Sequence, residues 1–165
     1  MAIKLNRVTA SNQLLKLVSV TDEGIDWDKS FPNIAGLEKK KAHYHKTLRA
    51  KELVAKDGEE ITVFIFKHPK RVDVSKEIRG LYARMQNQVK ETDLLTEVWE
   101  KAFVGTQEGF SDEAQLTCPP KIDGEITEEY IQALQDAKVF GEIALLFLSA
   151  ATTDSSGDLD TAKKK

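Results

Sequence analysis

The chain is poor in the residues that cross-link small proteins. A single cysteine, Cys118, cannot form an internal disulfide, and one cysteine with three scattered histidines does not make a zinc cluster. Cys118 precedes two prolines and has only Lys121 as a cationic neighbour, which favours an unreactive thiol. With 165 residues the chain can bury a core without such links, and a reducing cytoplasm is the expected compartment.

Targeting and membrane-spanning segments are also missing from the sequence. The first residues, MAIKLNRVTASNQ, lack the apolar core and the cleavage site of a secretory signal, so we expect no export. The densest apolar run, Ile143 to Leu148, is much shorter than the ~20 residues that cross a bilayer. We therefore expect no membrane partner.

Motifs that carry catalysis are absent as well. The sequence has no G-x-S-x-G, no phosphate-binding G-x-x-x-x-G-K-[ST] and no dinucleotide fingerprint. The two histidines of His43-Tyr44-His45 would share one face of a strand, but two ligands do not make a metal site. The acidic pairs Asp26/Asp28 and Glu128/Glu129 are explained by capping and solvation. We expect a protein without catalysis, metal or cofactor.

Two stretches have the pattern of β-strands. Leu14 to Thr21 (LLKLVSVT) predicts a strand that ends in the turn TDEG. Ile61 to Phe66 is β-branched and aromatic on both faces, which predicts a strand covered on both sides and ended by Pro69. The charged stretch over residues 38–58 fits a helix and a strand equally.

Helical spacing dominates the rest of the chain. Apolar residues recur at this spacing over residues 74–89 and again over 94–103, and Gly105 is well placed as the left-handed residue that ends the second helix. Thr127 is placed to cap ITEEYIQAL. The last helix, AKVFGEIALLFLSAA, is apolar nearly all round and must therefore be buried by something.

These elements predict the fold class and the domain organisation. We expect an α+β fold in which N-terminal strands are followed by a helix-rich C-terminal half. Residues 1–152 are predicted to form a single domain. Residues 153–165 are small and polar, without periodicity, and are predicted to be a disordered tail.

Charge is distributed unevenly along the chain. The net charge is −3, but residues 1–90 carry +7 and residues 91–162 carry −13. Such a dipole favours head-to-tail contacts between copies, and hence a possible homo-oligomer, or two different partners. A solvated surface with uneven charge is the simpler explanation.

A basic group surrounds the predicted turn after the second strand. It could meet phosphates or an acidic protein, which makes a small phage or bacterial regulatory protein the alternative function. Few aromatic residues are interleaved and the pI is 5.7, so nucleic acid is not the favoured partner. The group consists of Lys67, His68, Lys70, Arg71, Lys76, Arg79 and Arg84.

The order of segments over about residues 60–155 resembles a known family. A strand ITVFIFKHP, a charged amphipathic helix, the helix EVWEKAFVG, an acidic loop through Pro119-Pro120, GEITEEYIQAL and EIALLFLSAA follow one another before a polar tail. This order is similar to that of the small tail assembly chaperones of long-tailed bacteriophages.

The resemblance implies a non-enzymatic assembly factor in the host cytoplasm. Members of this family bind the tape measure protein and help to recruit tail tube subunits during virion assembly. They are commonly made in two lengths by a programmed frameshift. The closing Ala162 to Lys165 fits this, since consecutive lysine codons can supply a slippery run of adenines. A solubilising tail or chance is the simpler explanation, because charged termini are common.

The last helix is the candidate surface for such a partner. Its large apolar side chains could exchange contacts within the chain for contacts with a client helix. The alternative is that the helix fills the core of its own domain. The candidate partner-binding residues are Val139, Phe140, Ile143, Leu146 and Phe147.

Overall fold

The structure is a computed structural model that describes residues 14–68, 91–111 and 113–150. The predicted helix over residues 74–89 and the tail predicted to be disordered lie outside these ranges. In chain order the described elements are β1 (Leu14–Leu17), β2 (Ile25–Asp26), α1 (Trp27–Ser30), α2 (Leu37–Thr47), a 3₁₀ turn (Ala50–Glu52), β3 (Val54–Ala55), β4 (Thr62–Lys67), α3 (Glu91–Ala102), β5 (Phe103–Glu108), β6 (Lys121–Ile122), β7 (Glu125–Ile126), α4 (Glu128–Asp136) and α5, described over residues 140–150.

An antiparallel sheet in the order β1-β4-β5 forms the centre of the described part. Leu17 pairs with Phe64 across the first ladder, and Phe64 pairs with Thr106 across the second. The four middle residues of β4, Val63 to Phe66, are all buried. Because successive strand residues point to opposite faces, β4 is covered on both sides, as its apolar pattern predicts. The α+β class is confirmed.

Gly105 corrects the predicted end of the second helix. That helix, α3, ends at Ala102, and Gly105 lies within β5 opposite Ile65 of β4. The carbonyl oxygen of Thr117 stands 2.6 Å from the point where a Cβ at position 105 would be. Glycine is therefore needed here for the close approach of two backbones, not for a left-handed helix end.

The C-terminal half consequently contains more strand than predicted. Residues 106–124, which we expect to form a loop, include the second half of β5 and also β6, the first strand of the β6–β7 hairpin. Its turn residues, Asp123 and Gly124, both have positive φ angles of 54° and 82°. This is the conformation that a two-residue hairpin turn requires.

The stretch over residues 38–58, which fits helix and strand equally by its sequence, contains both: most of α2, then the 3₁₀ turn and the short strand β3. Tyr44 on the inner face of α2 is completely buried, and tertiary packing therefore selects the helix. The helix ends at Thr47, and the next residue, Leu48, adopts a left-handed conformation with φ 54° and donates its N–H to the Tyr44 carbonyl at 2.7 Å.

Thr127 caps α4 as predicted. Its Oγ1 accepts a hydrogen bond from the backbone N–H of Tyr130 at 3.3 Å, which satisfies one of the free donors of the first turn. Glu128 and Glu129 occupy that turn, where the helix dipole favours negative charge.

Aromatic rings at the contact between sheet and helices form the centre of the core. Trp99 of α3 lies within 5.9 Å of the rings of Phe64, Phe66 and Phe103, centroid to centroid. Its indole N–H donates to the carbonyl of Phe140 at 3.0 Å, so that the large ring is buried without an unpaired donor.

Candidate functional site

The five candidate partner-binding residues of the last helix lie in the core of their own domain. Each of Val139, Phe140, Ile143, Leu146 and Phe147 is buried. The ring of Phe147, for example, stands 5.1 Å from that of Phe66 in β4. The structure thus shows α5 filling its own core. Partner binding through these side chains stays a prediction, and it would require α5 to leave that position.

The basic group is described only in part. Lys67 is the last residue of β4 and is half-buried, as is His68. The rest of the group, Lys70, Arg71, Lys76, Arg79 and Arg84, lies outside the described residues.

The two neighbouring histidines lie on a helix and not on a strand. His43 packs its ring edge-on against Phe31, with centroids 4.9 Å apart, while His45 has its Nε2 3.8 Å from a carboxylate oxygen of Glu142. Residues two apart on a helix do not face each other, so the shared face expected for a strand is not formed. Within residues 14–68, 91–111 and 113–150 we find no group of three side chains suited to a metal ion.

An apolar groove lies between β1 and the chain that follows α2. We call it the β1 groove, and its volume is about 390 Å³. One wall is formed by β1 itself and the other by the left-handed residue after α2 and the 3₁₀ turn. The lining residues are Leu14, Leu15, Lys16, Leu48, Arg49, Ala50, Lys51 and Glu52.

The groove exists because β1 is an edge strand in the described part of the chain. There it pairs with β4 alone, and alternate backbone groups of an edge strand point away from its partner. Leu14 remains 38% exposed, while Leu15 and Leu48 are partly buried against the core. The groove therefore offers apolar side chains beside an outer strand of the described sheet.

Cationic side chains surround this apolar floor. Lys16, Arg49 and Lys51 line the groove together with one acidic residue, Glu52, whose carboxylate lies 3.7 Å from the guanidinium of Arg49. The lining thus has an excess of positive charge. An apolar segment that carries carboxylates complements it better than a neutral or basic one.

Tyr44 attaches α2 to the backbone of the residue that follows β1. Its hydroxyl accepts from the N–H of Val18 at 2.8 Å and donates to the carbonyl of Val18 at 3.0 Å, directly after β1. Burial raises the pKa of Tyr44 far above its ordinary value, the hydrogen bond from Val18 lowers it, and the nearby charge of Glu142 raises it. The hydroxyl therefore stays protonated and keeps both bonds.

Two other concave regions are less suited to a macromolecular partner. A polar pocket beside β5 contains Gln107, whose side-chain amide already donates to the carbonyls of Gly109 and Ser111 at 2.8 and 3.1 Å. A second pocket lies around Phe31 and His43, and the packing of those two rings against each other fills part of it.

Sequence reasoning did not find the β1 groove. The sequence predicts a strand for Leu14 and Leu15, and residues 48–52 lie in the stretch that fits helix and strand equally. The only signal is that both segments combine apolar residues with cations, Leu-Leu-Lys over residues 14–16 and Leu-Arg-Ala-Lys over residues 48–51. It does not show that the two segments lie side by side.

No protein-family model matches this sequence, and comparisons with curated proteins and with solved structures likewise give no significant match. Among the helices that the structure describes, none has the length and apolar character needed to span a bilayer.

Proposed function

We propose that the protein is a non-enzymatic phage tail assembly chaperone of the host cytoplasm, which binds the tape measure protein and recruits tail tube subunits. The segment order over about residues 60–155 suggests this function. The single observation that carries it is the open β1 groove, since a chaperone needs apolar surface that is available while its own core stays intact.

The groove, rather than the buried face of α5, is the client contact in this proposal. Exposing α5 would remove seven buried side chains from the core, whereas the groove is already open among the residues that the structure describes. Covering the exposed parts of Leu14, Leu15 and Leu48 contributes on the order of 2–4 kcal/mol. That modest gain, supplemented by backbone and charge contacts, suits a chaperone that must later release its client.

Client capture should depend on the exposed leucine of the groove. The experiment is co-purification of the tape measure protein of the same phage with the full chain and with Leu14→Asp. We expect the charged side chain to reduce capture about tenfold, because it must be desolvated against an apolar surface. The matched control is Ile122→Asp, in the hairpin turn region, where the isoleucine is 67% exposed and does not line the groove.

Both variants should keep the wild-type circular dichroism spectrum, since neither residue is buried. If Leu14→Asp does not fold, Lys51→Glu replaces it, because this exposed rim residue changes the groove charge without touching the core. Wild-type capture by a folded groove variant would rule out the groove as the client contact. Equal loss in the Ile122→Asp control would rule it out too.

A further inference from the structure

Glu142, in the first turn of α5, connects the last helix to the segment that follows β1. Its Oε1 accepts a hydrogen bond from the hydroxyl of Ser19 at 2.6 Å, and its Oε2 accepts from the backbone N–H of Val20 at 2.8 Å. The serine hydroxyl also accepts from the N–H of Thr21 at 3.1 Å. Ser19 is buried, and the Glu142 side chain is only 18% exposed.

The same carboxylate also faces the end of α2. His45 Nε2 lies 3.8 Å from Oε2, and His45 stands three residues before Leu48, the first residue of the second groove wall. Ser19 and Val20 stand two and three residues after Leu17, which ends β1. Glu142 therefore contacts the chain next to both walls of the β1 groove.

The contacts of Glu142 hold Ser19 and Val20 in a defined position relative to α5. A carboxylate that accepts two short hydrogen bonds in a partly buried site holds its donors more tightly than a solvated ion pair does. The bonds also join residues more than 120 positions apart in sequence, so they exist only when α5 occupies its place in the core.

We infer that Glu142 is a positioning residue for the β1 groove, so that occupation of the groove and attachment of α5 to Ser19 and Val20 stabilise each other. The biological use of this coupling rests on the proposed function, because the groove is the client contact there. A client bound in the groove would strengthen the attachment of α5. Loosening of α5 would weaken client binding by the same factor, as thermodynamic linkage requires.

The test uses the full chain and an apolar anion, anilinonaphthalene sulfonate, as the probe of the groove. Binding is followed by the NMR shifts of the amides of Leu14–Leu17 and of residues 48–52. We expect Glu142→Ala to weaken probe binding about tenfold, within the usual range of coupling between sites. In the wild-type chain, the probe should slow hydrogen exchange at the Val20 amide by a similar factor.

Glu100→Ala is the matched control. Glu100, on α3, likewise uses its carboxylate to accept from a distant backbone N–H, that of Ile126, at 3.0 and 3.2 Å. It does not line the groove. This variant should lose a comparable amount of stability toward urea, yet change probe binding by less than about twofold. A purely structural role for Glu142 would make the two variants equal.

A conservative variant of Glu142 distinguishes the effect of its hydrogen-bond geometry from the effect of its charge. Glu142→Gln keeps an oxygen that can accept from Val20, so we expect it to recover most of the probe affinity that Glu142→Ala loses. Equal probe affinity in Glu142→Ala and Glu100→Ala, or no shift of the groove amides with the probe, would overturn the inference. If probe binding depends on Glu142 while tape measure capture ignores Leu14→Asp, the coupling stands and the proposed function fails.

Discussion

At the scale of single residues, Tyr44 shows how one hydroxyl satisfies a buried backbone. It is the partner of both the N–H and the carbonyl of Val18, and none of the three groups is accessible to water. Removing the hydroxyl leaves both backbone groups without their partner, which costs about 1–3 kcal/mol. The same burial has a consequence at high pH.

Tyr44 should make the protein less stable in alkali. Its folded pKa is raised above the unfolded value of about 10, so its contribution is complete below that pH and is lost as the pH rises through the folded pKa. The measurement is urea unfolding between about pH 9 and pH 11. We expect the free energy of unfolding to fall by up to about 1.4 kcal/mol per pH unit because of Tyr44.

Tyr44→Phe provides the control for this effect. The variant starts less stable but should lose less stability with rising pH, because it has no hydroxyl to ionise at this position. Tyr130, whose pKa burial also raises, is present in both chains and cancels in the difference. Parallel pH profiles for the two chains would contradict the assignment.

At the scale of elements, α5 shows that an apolar pattern predicts the burial of a helix without identifying what buries it. Its apolar pattern predicts burial, and the structure places it against β4 and α3 of the same chain. An aspartate at Phe140 or Phe147 would introduce an unpaired charge into the core and unfold the chain. Loss of client capture by such a variant would not identify a contact surface.

The side chains of α5 should differ sharply in their contribution to stability. Phe147→Ala is expected to lower the free energy of unfolding by about 3–5 kcal/mol, because it leaves a cavity beside Phe66. Leu145→Ala, on the same helix but 43% exposed, should cost less than about 1 kcal/mol. Chemical denaturation of both variants is the measurement, and similar losses would mean that α5 is not packed as described.

At the scale of the whole molecule, the groove lies in the basic half of the chain. Its three cations, Lys16, Arg49 and Lys51, belong to the first 90 residues, which carry a net charge of +7. An acidic apolar client is therefore attracted to the three cations of the groove. The apolar contacts, however, carry most of the binding energy in our proposal.

Salt dependence should distinguish this proposal from the regulatory alternative. Capture of the tape measure protein should fall by less than about threefold between roughly 50 and 200 mM salt, because few charges are involved. A nucleic-acid-binding surface with six to ten phosphate contacts would lose about 10³–10⁵-fold over that range. A steep loss for the purified chain would favour the basic surface and the regulatory function.

The local pattern of the sequence determined the elements whose cause is local. Strand β4 follows from a β-branched run, α3 and α4 follow from helical spacing, and the cap of α4 follows from a threonine at its first turn. In each case the residues that determine the structure are close neighbours in the sequence. The burial of α5 was also predictable, since a helix that is apolar all round is unstable in water.

Tertiary structure alone decided the features that depend on contacts between distant residues. Gly105 is part of a strand because the Thr117 carbonyl packs closely against it. The α2 segment is a helix because the Tyr44 hydroxyl forms hydrogen bonds with the backbone of Val18. The β1 groove likewise exists only because β1 and the 3₁₀ turn lie side by side. The two members of each pair lie too far apart in the sequence for a local pattern to predict their contact. Burial and hydrogen bonding across the fold therefore determine these features.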